Sequence, residues 1–417
     1  MLKFKSRLLK GALHSPQFRW FYLGQSVSLF GSGMTPLVLA FAVLDTPHGR
    51  NLLGYILAAE ILPHVLMVLV GGGVADRYRR DRLMVLSNLG SGFSQAVIAL
   101  IVLMGFNPRW ILLFALISGV MSAFTSPAMR GIVPEVVSRE DIRQANALLN
   151  TSKSAAKIVG PAVAGVLVAT LNGGWAILWD AVSFFIASFT LSRVRIPSHP
   201  PDTGTSILQD MRAGWSYFRS RRWIWSITAA FAFMNAVQMG VWRVLGPIIA
   251  KNTFGSSGWG LTLSARSIGL LIASLFMLRL SLRYPLRASM MAVAVGGIQM
   301  IVLGQEYALP YLIIAAALGG VGSTISGIGW DATLQQAVPK DKLSRVCSFD
   351  DFGSYITIPI GVSLAVPLAQ TFGYQTIATA GGVIFIVAAL LPLAEPLVRN
   401  MRSQDLSSMR ASIDDNS

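Results

Sequence analysis

Residues 52–104 read LLGYILAAEILPHVLMVLVGGGVADRYRRDRLMVLSNLGSGFSQAVIALIVLM. Two mostly apolar runs, 52–74 and 83–104, flank a short segment holding Arg77, Arg79, Arg80 and Arg82. A bilayer core about 30 Å thick takes about 20 apolar residues as helix, so each run is long enough to cross it. Backbone groups in hydrocarbon must be satisfied internally, which leaves helices or a closed barrel. Neither run alternates with period two, so both read as helices, with the arginines in a tight turn at one membrane surface.

Working outward, runs of this kind recur at about 18–44, 110–129, 144–171, 175–194, 223–249, 259–280, 286–304, 309–330, 345–369 and 375–398. The whole chain of 417 residues is 53% hydrophobic and 13% charged, where a soluble domain carries about 25% charged residues. These values exclude a soluble globular fold and a disordered chain alike. Cys347 is the single cysteine, so no intrachain disulfide forms. The basic N-terminus is not followed by a short apolar stretch with a cleavage site, and the first run reads as a retained helix.

The net charge of +15 has a topological explanation. The terminal segments and alternate connections hold 27 Lys and Arg, and the opposite connections hold only Arg50, Arg109 and Lys251. Basic residues stay on the cytoplasmic side, so the bias puts both termini there, with anionic lipids against the cytoplasmic loops. Nucleic acid is not needed to explain the charge. The fold class expected is an all-α integral membrane protein of twelve transmembrane helices in two six-helix pseudo-repeats. The expected divisions are 1–194, a linker over 195–222, 223–398 and a polar tail over 399–417. Within the linker, Ile207, Leu208, Met211, Trp215 and Phe218 share one face, which predicts an amphipathic helix at the cytoplasmic interface.

An internal repeat supports the division. At an offset of 201 residues, Val137-Ser138-Arg139-Glu140-Asp141-Ile142 stands against Val338-Pro339-Lys340-Asp341-Lys342-Leu343. Gly160, Ala164, Leu167 and Thr170 then match Gly361, Ala365, Leu368 and Thr371. Two six-helix repeats are common in transporters, whose substrate site lies between them near mid-membrane.

Three motifs resemble the major facilitator superfamily. Gly72-Gly73-Val74-Ala75-Asp76-Arg77-Tyr78-Arg79-Arg80-Asp81-Arg82 is similar to its signature G-x-x-x-D-R-x-G-R-[KR]-x, departing at Arg79 and Asp81. The resemblance implies a cytoplasmic gating contact through Gly72, Asp76, Arg77 and Arg80. Ala156 to Gly165 resembles the drug–proton antiporter motif G-x-x-x-G-P-x-x-G-G, with Gly160, Pro161 and Gly165 retained and Ala at 156 and 164. Pro161 is expected to kink the helix, and small residues at every fourth position permit close packing. Ile132 to Val137, Gln144 to Leu148, Asp180 to Phe184 and Val338 to Val346 follow the branch that holds macrolide efflux pumps and the enterobactin exporter. That resemblance implies proton-driven export. The Arg that many such antiporters carry within the fourth span is missing, since Arg109 and Arg130 only flank it.

Eight ionisable residues of the expected spans are weighed separately: Glu60, Lys153, Lys157, Asp180, Arg243, Arg266, Asp350 and Asp351. Each costs about 2.5–3.5 kcal/mol at the bilayer centre, so they must be paired, hydrated in a cavity, or neutral. Glu60 is the first choice for proton coupling. His64 stands four residues on and shares its face, where it can relay. The alternative is a permanent structural pair between Glu60 and Lys153 or Lys157. Lys153, Lys157, Asp180, Arg243, Arg266, Asp350 and Asp351 are the remaining cavity charges. Asn150, Asn235 and Gln238 are possible polar contacts, and Trp20, Phe21, Phe231, Phe233 and Trp242 are candidate aromatics.

Glu60 and His64 are too few ligands for a zinc site. No nucleotide-binding, serine-hydrolase or zincin motif occurs, so neither an enzyme nor a cofactor is expected. The function expected is secondary active, proton-coupled export of an amphipathic small molecule (a drug, macrolide or siderophore) by a monomer in the bacterial cytoplasmic or inner membrane. Two alternatives stay open: uptake or facilitated diffusion of a nutrient by the same fold, and a non-transporting sensor or assembly factor.

Overall fold

The computed structural model describes residues 11–75, 80–138, 141–194, 215–277, 279–280 and 282–403. Among them, every regular element is helical. The chain divides into two compact units, Met1–Thr203 and Gly204–Ser417. The first holds α1 (Pro16–Leu44), α2 (Gly49–Ala75), α3 (Arg80–Met104), α4 (Trp110–Val136), α5 (Ile142–Leu171) and α6 (Gly173–Leu191). The second holds α7 (Arg222–Thr253), α8 (Gly255–Met277), α9 (Pro285–Gly304), α10 (Leu309–Ala337), α11 (Lys340–Tyr355, then Ile358–Phe372) and α12 (Tyr374–Leu390). Ten of these, all but α2 and α4, are long and apolar enough over their described residues to cross a membrane.

Helix ends follow local chemistry. Ser15 Oγ accepts from the Phe18 N–H at 3.3 Å and donates to the Val136 carbonyl at 2.7 Å. With Pro16 in the first turn, this caps α1 and ties it to the end of α4. The turn from α5 to α6 is made at Asn172 (φ 70°, ψ 166°), whose Oδ1 accepts from Gly174 N–H at 3.0 Å. The turn from α11 to α12 is made at Gly373 (φ 92°, ψ 141°), 201 residues further on.

Within the first unit, α1 packs on α5 and α6, α3 on α4 and α6, and α2 on α4. Within the second, α7 packs on α11 and α12, α9 on α10 and α12, and α8 on α10. The same five pairings thus occur in each unit. The α1–α5 crossing is very close: a Cβ at Gly160 would lie 2.8 Å from the Gly33 carbonyl carbon, and one at Gly33 would lie 2.6 Å from the Ala156 oxygen. The α7–α11 crossing repeats this, with a Cβ at Gly240 falling 2.7 Å from the Gly361 oxygen and one at Gly361 striking the Ala236 carbonyl.

Some boundaries differ from the hydropathy reading. Helices α4 and α10 run on to Val136 and Ala337, because a helix can continue with polar residues beyond the apolar stretch that hydropathy detects. Helix α7 contains a π-helical stretch, Met239–Leu245, that carries Arg243. In the linker, 215–220 is helical, and Trp215 stacks on Phe218 at 5.7 Å. Ile207, Leu208 and Met211 lie outside the described residues. At the end of the second unit, Val398 and Met401 are buried with Trp223, Leu286 and Trp330, where the chain forms a short helix, Pro396–Asn400.

Candidate functional site

All six helices of the second unit contribute to a polar cavity of about 300 Å³. Helix α7 supplies Phe231, Asn235 and Gln238, α8 supplies Arg266, α9 supplies Val293, α10 supplies Ser323, Ser326, Trp330 and Asp331, α11 supplies Asp350, Asp351 and Tyr355, and α12 supplies Phe385. Three of the charges expected to line a cavity, Arg266, Asp350 and Asp351, therefore meet in one place. The Arg266 Nη2 donates to Ser323 Oγ at 3.3 Å, while its Nε is buried with no hydrogen-bond partner. Ser326 Oγ is likewise buried without a partner. Arg243 is half-buried in the π-helical stretch and interacts with Arg266 as a like charge.

Asp350 is 6% exposed. Its Oδ1 accepts from Thr228 Oγ1 at 2.6 Å and its Oδ2 from Trp330 Nε1 at 2.7 Å. Both partners are neutral, and among the described residues Asp350 forms no ion pair. The buried carboxylate is therefore satisfied by hydrogen bonds alone. Asp351 and Asp331 are more exposed at the cavity.

The first unit holds a second buried acid. Asp180 on α6 is 1% exposed, and its Oδ2 accepts from Thr35 Oγ1 of α1 at 2.5 Å. Ser183 Oγ lies 3.4 Å from Oδ1 and donates to the Asp180 carbonyl at 2.7 Å. Asp180 is thus sealed between α1 and α6, and among the described residues it too forms no ion pair. Glu60 on α2 is half-buried. His64 is exposed, with Nε2 3.4 Å from Ser122 Oγ of α4.

Helix α5 carries an exposed polar stripe of Asn146, Asn150, Lys153 and Lys157. Neither Glu60 nor Lys157 is without a partner. Further along α5, Gly160, Pro161 and Gly165 are buried, with Gly160 against Gly33. Pro161 lacks an N–H and cannot donate the usual helical hydrogen bond. Of the loop motif, Gly72 lies in α2 and Arg80 opens α3, while Asp76 and Arg77 lie outside the described residues.

Sequence reasoning missed Asp331, Thr35, Thr228 and Trp330. Asp331 was legible in principle, since it stands beside the apolar run that ends at 330 and only a longer α10 was needed to bring it into the cavity. The hydroxyls gave no signal, because Ser and Thr inside a helix ordinarily bond to their own preceding turn.

Residues 11–295 match the model of a family described as transmembrane secretion effector. The chain belongs to this family, within the major facilitator superfamily. The likeness of the chain to efflux proteins extends beyond the matched segment. Macrolide efflux protein A of Streptococcus pyogenes is 23% identical over 401 residues, covering 94% of this chain and 98% of that one. Multidrug efflux pump Tap of Mycolicibacterium fortuitum is 26% identical over 398 residues, covering 91% and 94%. The crystal structure of nucleoside transporter NupG superposes with a TM-score of 0.72 at 11% identity, covering 93% of this chain and 100% of that one, a likeness of fold. The chain is a multi-pass cell-membrane transporter that resembles efflux pumps.

Proposed function

We propose that this protein exports amphipathic small molecules against their gradient by alternating access, driven by protons. In this reading the chain crosses the membrane twelve times, with both termini cytoplasmic and the two units as six-helix repeats. The recurrence of five helix pairings supports the repeat. The cavity of the second unit carries the reading: aromatic walls at Phe231, Trp330, Tyr355 and Phe385 stand beside Arg266, Asp331, Asp350 and Asp351. Such a lining suits a ligand with an apolar body and a polar or charged edge.

Proton coupling falls to Glu60, with His64 as relay. At Asp350, uptake of a proton would disturb a donated hydrogen bond and no ion pair. The loop around Asp76 and Arg77 gates the cytoplasmic side, and the α1–α5 crossing at Gly160 and Pro161 takes part in controlling substrate access. Lys153 and Lys157 line the substrate path as its positive wall.

The test is transport of a fluorescent macrolide or dye into inverted membrane vesicles under an imposed pH gradient. Export predicts uphill accumulation that a protonophore abolishes. Accumulation in right-side-out vesicles alone would make the protein an importer. Absence of flux with every probe, while a cellular phenotype persists in Glu60→Gln, would make it a sensor.

A further inference from the structure

A second cavity shares no lining residue with the first. It is a groove of about 630 Å³ between α7 and α12. Its walls include Phe233, Ile384, Val387 and Leu391, all exposed, and Ala229 leaves room on its floor. At one end, Arg222 Nε lies 3.5 Å from Glu395 Oε2, with the arginine side chain 77% exposed. Trp225, also exposed, stands beside it.

We propose that this groove holds an acyl chain of an anionic phospholipid, with its phosphate on the Arg222 guanidinium. The apolar walls account for the chain but not for the choice of lipid, because hydrocarbon gains little on moving from bilayer to helix surface. Selection therefore rests on the charged end. A guanidinium presents a planar fork that matches phosphate, and a Trp at this level is at home among headgroups. The existing partner does not hold Arg222 firmly, since the contact is long at 3.5 Å and the guanidinium side is open at the surface. Glu395 opposes an incoming anion, so the phosphate and Glu395 compete for one cation. This is a defined intramembrane site, distinct from the general attraction of basic loops to an anionic surface.

The test is native mass spectrometry of the full chain in detergent, titrated with palmitoyl-oleoyl phosphatidylglycerol or phosphatidylcholine. The expected result is preferential retention of phosphatidylglycerol. Arg222→Gln should reduce that preference about fivefold, the worth of one basic side chain at an anionic surface. Glu395→Gln should increase it, and Ala229→Leu, which fills the floor from an exposed position, should lower retention of both lipids. Arg287→Gln, an exposed base on α9, should change nothing. Equal retention of the two lipids would overturn the proposal, as would equal losses in the Arg222 and Arg287 variants, unchanged retention in Ala229→Leu, or displacement of the lipid by a transported dye.

Discussion

The two units share a scaffold and differ in chemistry. Gly160 on α5 and Gly361 on α11 stand 201 residues apart and meet a glycine of α1 and of α7 respectively. Asn172 and Gly373 turn the chain at equivalent points. The charged positions do not correspond. At the same offset, Asp350 and Asp351 of α11 stand where α5 has Leu149 and Asn150, Lys153 and Lys157 stand where α11 has Ser354 and Ile358, and Asp180 stands where α12 has Gly381. Within the apolar spans of these two helices, α5 thus carries two lysines and α11 two aspartates. The buried acids differ as well, since Asp350 borders a cavity and Asp180 is enclosed between α1 and α6. Backbone crossings tolerate little change because atoms of both helices are in contact, whereas charges can be redistributed provided each finds donors or water.

The largest effect that separates the units is expected at Glu60. Glu60→Gln should lower transport driven by a pH gradient by roughly 100-fold, the scale of removing a positioned proton carrier. Binding of a fluorescent substrate should change little, because Glu60 lies outside the cavity of the second unit. Asp331→Asn should show the reverse pattern, with weaker binding and a preserved response to the gradient. Loss of binding in Glu60→Gln with coupling intact would overturn this division of labour.

The scaffold should answer alike in both units. Gly160→Leu and Gly361→Leu each force a side chain into the backbone of a neighbouring helix. Each should cost about 1–3 kcal/mol or more, read as reduced thermal stability in detergent. A tolerated substitution in one unit alone would break the equivalence of the two crossings.

Hydrogen bonding to the buried acids should distinguish them again. Thr35→Val and Thr228→Val are close in shape and remove one donor each, at about 1–3 kcal/mol for a buried acceptor left unpaired. The loss at Thr35 should be the greater. Asp180 is enclosed and would keep only Ser183 at 3.4 Å, while Asp350 would keep Trp330 at 2.7 Å and the cavity beside it. Equal losses, measured by thermal unfolding of the two variants, would show that Trp330 and the cavity beside it do not compensate Asp350.

Much of this scaffold was legible in the sequence. Apolar runs of about 20 residues identify membrane helices by length alone, and the offset of 201 was visible in Gly160 and Gly361. Which helix each glycine meets was not legible, because a small residue says that something approaches and not what. Asp180 and Asp350 could be ranked by position along a span, yet their enclosure depends on Thr35 and Thr228, more than 100 residues away in sequence. The amphipathic face from Ile207 to Phe218 and the Asp76–Arg77 turn fall largely outside the described residues, so the structure adds little to their sequence reading.

The smallest effect belongs to the two turns, and it tests whether they are equivalent in energy as well as in position. Asn172 has φ 70° and ψ 166°, a region that only glycine adopts without strain. Its side chain offsets that strain by accepting from Gly174 N–H at 3.0 Å at the start of α6. Gly373 has φ 92° and no side chain, so it carries neither strain nor cap. Gly373→Ala introduces the strain without the cap and should cost about 1–3 kcal/mol. Asn172→Gly removes both strain and cap, and a glycine in place of Asn at a cap costs only a few tenths of a kcal/mol. Its stability should therefore stay within about 0.5 kcal/mol of the parent, as expected where no large mechanism is engaged. Thermal unfolding of the two single variants, in one detergent and at one lipid ratio, measures the difference. A large loss in Asn172→Gly would mean that the side chain holds α6 in place through more than its cap. A neutral Gly373→Ala would mean that the second turn can relax where the first cannot.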